Sequence, residues 1–248
     1  EAEAIDRAAL FRDAGLNIDV LADPCGRFSI DDVSALWELA VARSGKATLG
    51  LSKELAARYG KLGVVGYAML ACPTLLPALQ RPTRYMNVVS NAATCAVTEA
   101  PGGHWFVLGH AGGERPVPRQ RVEFGMLTLL SFCGWITGRD LQPRQIEFVY
   151  PEPADLRVHA QAFACPLRFG QPANRALLDA EELAWPLAAH DPAMAALHAQ
   201  LVEQALEGIE LAPTSLRVRD ILAAGLLPAD MRREQMAAAL GISDRTLQ

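Results

Sequence analysis

Between Leu62 and Leu79 the chain runs eighteen residues without a charged side chain, and few folds accept such a stretch. As one continuous helix it would be long enough to cross a bilayer. Gly63, Gly66, Pro73 and Pro77 interrupt it, and Lys61 and Arg81 stand just outside its ends. A membrane span has to satisfy its backbone groups internally, so these breaks favour two buried helices instead, one through Val64 to Ala71 and one starting at Thr74. Pro82 is expected to kink or end the second helix before Tyr85 to Val89. Helices that are apolar on every side need other layers around them, and the rest of the chain must supply those layers.

Upstream, Ala2 to Ala14 has the spacing of an amphipathic helix closed by Gly15, and Asp19 to Leu21 allows one further turn. Ser29 with Asp32 resembles a capping box, opening a helix through Arg43 that would bury Val33, Leu36, Trp37 and Ala40 before Gly45 ends it. Gly50 to Tyr59 reads as a short helix. Downstream the period changes from helical to alternating. Thr94 to Glu99 and His104 to Gly109 are short β-type runs around Ala-Pro-Gly-Gly, a hairpin signal. Arg121 to Thr137 is apolar nearly all round, as befits a buried helix packed on that sheet. Gln145 to Tyr150 is a further strand candidate and Ala154 to Phe163 a helix. Pro166 to Phe169 and Ala176 to Leu178 read as a pair of strands across Gly170-Gln171-Pro172. Asp191-Pro192 starts a helix reaching Glu207. Its Met194, Leu197, Leu201 and Ala205, widened by Val202 and Leu206, make a stripe that suits either the chain's own core or a second copy. The expected class is α+β: a helix-rich N-terminal half packed on a small antiparallel sheet, then an all-α segment.

The tail carries its own pattern. Met236 and Leu240 stand four apart among small alanines, Gly241 can take the left-handed conformation that ends a helix, and Ser243 can cap the next one. Helix, glycine turn and capped helix make a helix-turn-helix, in which the start of the second helix meets base edges in the major groove. Here those residues would be Ser243, Asp244, Arg245 and Gln248. An ordinary helical hairpin shares this pattern. The run AAALGISDRTLQ, however, resembles the first DNA-reading motif of AraC/XylS-type transcription regulators. Proteins of that family join two such motifs by a helix, whereas this chain stops about one turn into the first reading helix. The resemblance therefore implies an incomplete DNA-binding module, with no sequence-specific binding expected of this chain alone.

A second resemblance covers the middle. YPEPADLRVHAQAFACPLRFGQPANRALLDAEELAWPL, residues 150–187, is similar to the segment that closes the effector-binding domain of one AraC-type subfamily, sometimes labelled arabinose-binding. LGLSKELAARYGKLGVVGYAMLACPTLLPAL fits the same domain. Together these imply a sensory domain over residues 1–210, a linker near Leu211 to Thr214, and the start of a DNA-binding domain over 211–248. The label implies no sugar, because regulators sharing that domain respond to varied small molecules. The resemblance also implies DNA as partner of the full-length protein, an unidentified small-molecule effector and a possible homodimer. The guess for the effector pocket is Tyr67, Trp105 and Phe132, bulky residues on the proposed sheet and the helices facing it.

Other classes leave weaker traces. A net charge of −5 argues against a general nucleic-acid binder. Residues 213–248 hold five arginines against four acids, so only the tail approaches a DNA-compatible balance and the body carries −6. Five cysteines without a C-x-x-C pair read as reduced, buried thiols of a cytoplasmic protein, and the acidic N-terminus does not resemble a signal peptide. No membrane partner, metal or cofactor is expected. Ser44-Gly45-Lys46 lacks the first glycine of a phosphate loop, Ser52 lacks the closing glycine of a nucleophile elbow, and Gly60, Gly63 and Gly66 miss the dinucleotide spacing. His104 and His110 are six apart on a strand, some ~20 Å from end to end, too far to share a metal unless the strand bends. No catalytic residue emerges. An enzyme of unknown reaction and a ligand-free dimerisation module remain as alternatives.

Overall fold

The computed structural model describes residues 5–23, 26–59, 62–207 and 237. Helix α1 (Arg7–Asp13) is capped by Asp6, whose carboxylate accepts from the Ala9 amide, and it buries Phe11. A 3-10 turn, Ile18–Ala22, follows. Helix α2 (Ile30–Ser44) opens on the full capping box of Ser29 and Asp32 and ends at left-handed Gly45, as its sequence predicts. Its apolar residues are only half-buried, apart from Ala40. A 3-10 turn, Leu49–Leu51, precedes α3 (Lys53–Tyr59).

The uncharged run forms two helices, α4 (Gly63–Leu70) and the start of α5 (Leu75–Val89). Pro82 does not end α5; it lies buried within it. A proline there removes one backbone bond. Burial of Ala78, Leu79, Tyr85 and Met86 along the same helix outweighs that loss. No helix among the described residues is long and apolar enough to cross a membrane.

Strands β1 (Ala93–Ala100) and β2 (Gly103–His110) form the expected hairpin, with Ala100 opposite Gly103 and Gly102 at positive φ in the turn. Helix α6 (Arg119–Thr137) is the buried helix, and Leu129, Phe132, Cys133 and Ile136 lie in the core. After it come β3 (Gln145–Glu147), α7 (Arg157–Phe163), β4 (Leu167–Arg168) and β5 (Arg175–Asp179). The short α8 (Ala180–Leu183) and then α9 (Pro192–Glu207) complete the described elements.

The strand order is β1-β2-β5-β3-β4, which corrects two expectations. β4 and β5 do not pair with each other across Gly170-Gln171-Pro172. β5 lies between β2 and β3, antiparallel to both, while β4 runs parallel to β3 at the edge, so the sheet is mixed rather than antiparallel. Two adjacent apolar runs suggest a hairpin, yet only tertiary packing decides which neighbour each strand takes.

Register divides the sheet into two faces. Val97, Phe106, Leu108, Ile146, Ala176 and Leu178 point into the core shared with α5 and α6. Their neighbours Trp105, Val107, Gln145, Glu147, Arg175 and Leu177 point the other way. A second apolar cluster lies apart, where Val202 and Leu206 of α9 pack with Val65 and Ala68 of α4 and Tyr85 of α5. The α9 stripe is therefore split: Val202 is buried, whereas Met194, Leu197 and Leu201 are exposed.

Candidate functional site

At the end of β2 the sheet and α6 diverge, leaving a half-open cavity of about 460 Å³. Its apolar lining includes Leu108, Val117, Val122, Val149 and Pro172, and its polar lining His110, Arg119, Tyr150, Gln171 and Asn174. Four stretches of the chain build it, 108–112, 117–122, 149–150 and 171–174, and each is fixed locally. The loop after β2 is tied to α2 by Asp31, whose two carboxylate oxygens accept from the amides of Glu114 and Arg115 at 3.1 and 2.9 Å. These bonds hold the Asp31 carboxyl below its ordinary pKa. Gly113 lies so close to that carboxylate that a Cβ would overlap it.

The start of α6 is anchored from the other side. Arg119 Nη2 and Gln120 Nε2 both donate to the Ala47 carbonyl, at 3.3 and 2.9 Å. Gly50 allows the 3-10 turn to approach the Gln120 backbone, where any side chain would collide. Across the cavity the Val149 amide donates to Asn174 Oδ1 at 3.0 Å, and the Leu108 amide to the Asn174 carbonyl at 2.9 Å. A wall this pinned presents its side chains in fixed positions, as a binding site needs.

Two features give the cavity its chemistry. The ring of His110 lies over Gly125 of α6, whose missing Cβ would stand only 3.2–3.3 Å from it. Burial, then the charge of Arg121, drives the His110 pKa down to about 3, so the imidazole is neutral, and its Nδ1 is buried without a hydrogen-bond partner. Behind Tyr150 lies a sealed polar group. The Tyr150 hydroxyl donates to Glu123 Oε1 at 3.0 Å, and His159 Nε2 meets the same oxygen at 2.9 Å. Burial and the Glu123 charge push the Tyr150 hydroxyl far up, so it remains a donor at any ordinary pH. Glu123 Oε2 and His159 Nδ1 are buried and unpartnered. The lining residues named include no serine, threonine, cysteine or carboxylate, so the arrangement suits binding rather than nucleophilic chemistry.

The residues expected to line a pocket do not meet. Phe132 is 3% exposed in the core and packs over Gly66, while Tyr67 on α4 is 56% exposed and stacks on His198 of α9. Trp105 occupies the opposite sheet face, under the Arg175 guanidinium at 4.0 Å. Ser243, Asp244, Arg245 and Gln248 lie outside the described residues. Sequence reading weighed His110 only as a metal ligand and passed over Arg119 and Tyr150. Among the described residues no cluster of His, Cys, Asp or Glu could hold a metal. Glycines on either side of His110, at 109, 112 and 113, were the available sign of a close approach there. Cys133 is inert core, as expected, its thiol pushed up to about 12 by burial.

Comparison with known proteins places this arrangement. Residues 5–187 match the model of the arabinose-binding domain of AraC transcription regulators, N-terminal. The chain is 31% identical, over 98% of its own length and 72% of the relative's, to the ornithine utilization regulator of Pseudomonas aeruginosa. Its fold is similar to that of the transcriptional regulator CdpR from the same organism, with a TM-score of 0.57 at 18% identity, covering 98% of this chain and 78% of the other.

Proposed function

Because the chain belongs to the AraC-type transcription regulators built on the arabinose-binding N-terminal domain, we propose that its effector is a small molecule held in the cavity between the end of β2 and the start of α6. The observation that carries this reading is the cavity itself: about 460 Å³, lined by both apolar and polar residues, on segments held by hydrogen bonds from backbone amides. Occupancy would favour one arrangement of the regulator and so alter how its DNA-binding part is presented. The sensory part would span residues 1–210 and the DNA-binding part begin at 211, with Ser243, Asp244, Arg245 and Gln248 reaching bases in the cytoplasm. That one relative is named for ornithine utilization suits a metabolite-responsive role.

Pairing follows from α9. Met194, Leu197 and Leu201 leave an apolar edge exposed next to Tyr67, and a second copy presenting the same edge would cover it about a twofold axis. Two copies would give each half-site one reader.

The test is a thermal-shift screen of small metabolites on the wild type and on Val149→Trp, which fills the cavity mouth from a position already 46% exposed. Ligands that raise the wild-type melting temperature should leave the variant unmoved. Equal stabilisation of both proteins would place the effector elsewhere.

A further inference from the structure

The charges around the cavity are lopsided. Among the described residues, Arg119 is the one formally charged residue in its lining. It donates to a neutral carbonyl, and its Nε stands 4.0 Å from Glu123 Oε1, an oxygen that Tyr150 and His159 already share. Arg121, two residues on, is 6% exposed and donates to Ser34 Oγ at 3.4 Å. No carboxylate among the described residues lies within ion-pair distance of it. Asp31, which ties the neighbouring loop, has both oxygens taken by backbone amides. The first turn of α6 holds no acid, and the amides at this end of a nineteen-residue helix add positive potential. A buried guanidinium with so little countercharge is costly unless an anion arrives.

Resting on the reading that this cavity is the effector site, we propose that the effector carries a carboxylate, bound by Arg119 and favoured by the buried charge of Arg121 on the same helix. The remainder of the molecule is apolar, to match Leu108, Val117, Val122 and Val149. A cationic effector finds no acid in the lining among the described residues, and the free oxygen of Glu123 is sealed from the cavity.

Titration calorimetry on the full chain with 3-phenylpropanoate, its primary amide and 3-phenylpropylamine tests the charge at constant shape. The acid should bind saturably, at least ~10-fold more tightly than the amide or amine, since a charge-assisted bond contributes about 1.5–3 kcal/mol. Arg119→Gln should erase that preference, and added salt should weaken the acid alone. Arg121→Gln provides a second reading if it folds; Arg119, 28% exposed at its side chain, does not depend on that. Amide or amine binding as tightly as the acid, no acid binding, or a preference that survives Arg119→Gln overturns the carboxylate. Val149→Trp separates the two claims. An amide or amine preferred by the wild type and excluded by the tryptophan overturns the carboxylate while the cavity stands. An acid excluded by neither substitution overturns both.

Discussion

Two buried glutamates lie on opposite sides of the same sheet and are treated differently. Glu147 on β3, 4% exposed, has both oxygens matched: Gln145 Nε2 donates to Oε1 and Arg175 Nε to Oε2, each at 2.6 Å, while Arg175 also covers Trp105. Glu123 on α6, fully buried, loads Tyr150 and His159 onto one oxygen and leaves the other bare. Buried polar groups are normally paired, so a closed pair reads as structure, and an unfinished one beside a cavity reads as function held at some cost.

The sharpest way to break that contrast is Arg175→Met. It leaves the buried Glu147 carboxylate without its cation, and the expected loss is about 3 kcal/mol by urea denaturation at pH 7. Arg175→Met combined with Glu147→Gln should recover much of it. A loss under ~1 kcal/mol in the single variant would show that Glu147 is no better matched than Glu123.

Acid titration probes the cavity side. His110 is neutral in the fold with a pKa near 3 against 6.5 when exposed, so below 6.5 the unfolded chain binds the extra proton. Stability from this residue is fully present above pH 6.5 and is lost as pH falls towards 3, at no more than ~1.4 kcal/mol per unit. His110→Gln should flatten the unfolding free energy relative to wild type across that window. Parallel profiles would mean that the ring is not held neutral.

Glu123→Gln should cost less than the loss at Glu147, about 1 kcal/mol or below. The amide keeps an oxygen for Tyr150 and His159, and the charge removed had one unpartnered oxygen. A loss matching that of Arg175→Met would make both glutamates structural and remove the distinction.

Much of the fold was legible because its signals are local. Ser29 with Asp32, Ala-Pro-Gly-Gly and the uncharged run each act within a few residues, and each became the element expected. Pairing β5 with β2 and β3, and continuing α5 through Pro82, depend on contacts made across the chain. The cavity was illegible for the same reason. His110 and Arg119 lie on β2 and α6 and Tyr150 and Asn174 in connecting segments, and nothing in the spacing of one reveals another. Trp105 on β2 and Phe132 on α6 do not line this cavity, because bulk does not record which face of a strand or helix a residue takes.

The smallest effect on stability should come from Leu201→Glu, far from either glutamate. Leu201 is 43% exposed, about 100° round α9 from fully buried Val202, so the charge enters solvent and the unfolding free energy should move by less than ~0.5 kcal/mol. Pairing should nevertheless fail, because about a twofold axis each copy would bring an unpaired carboxylate into an apolar contact. If α9 is the proposed pairing surface, light scattering should report a dimer for the wild type and a folded monomer for the variant. An unfolded or aggregated variant would assign this edge of α9 to the chain's own core, and a dimer that persists unchanged would move the interface to another surface. In either case the contrast between the two glutamates stands, since their side-chain hydrogen-bond partners Tyr150, His159, Gln145 and Arg175 lie outside that apolar cluster.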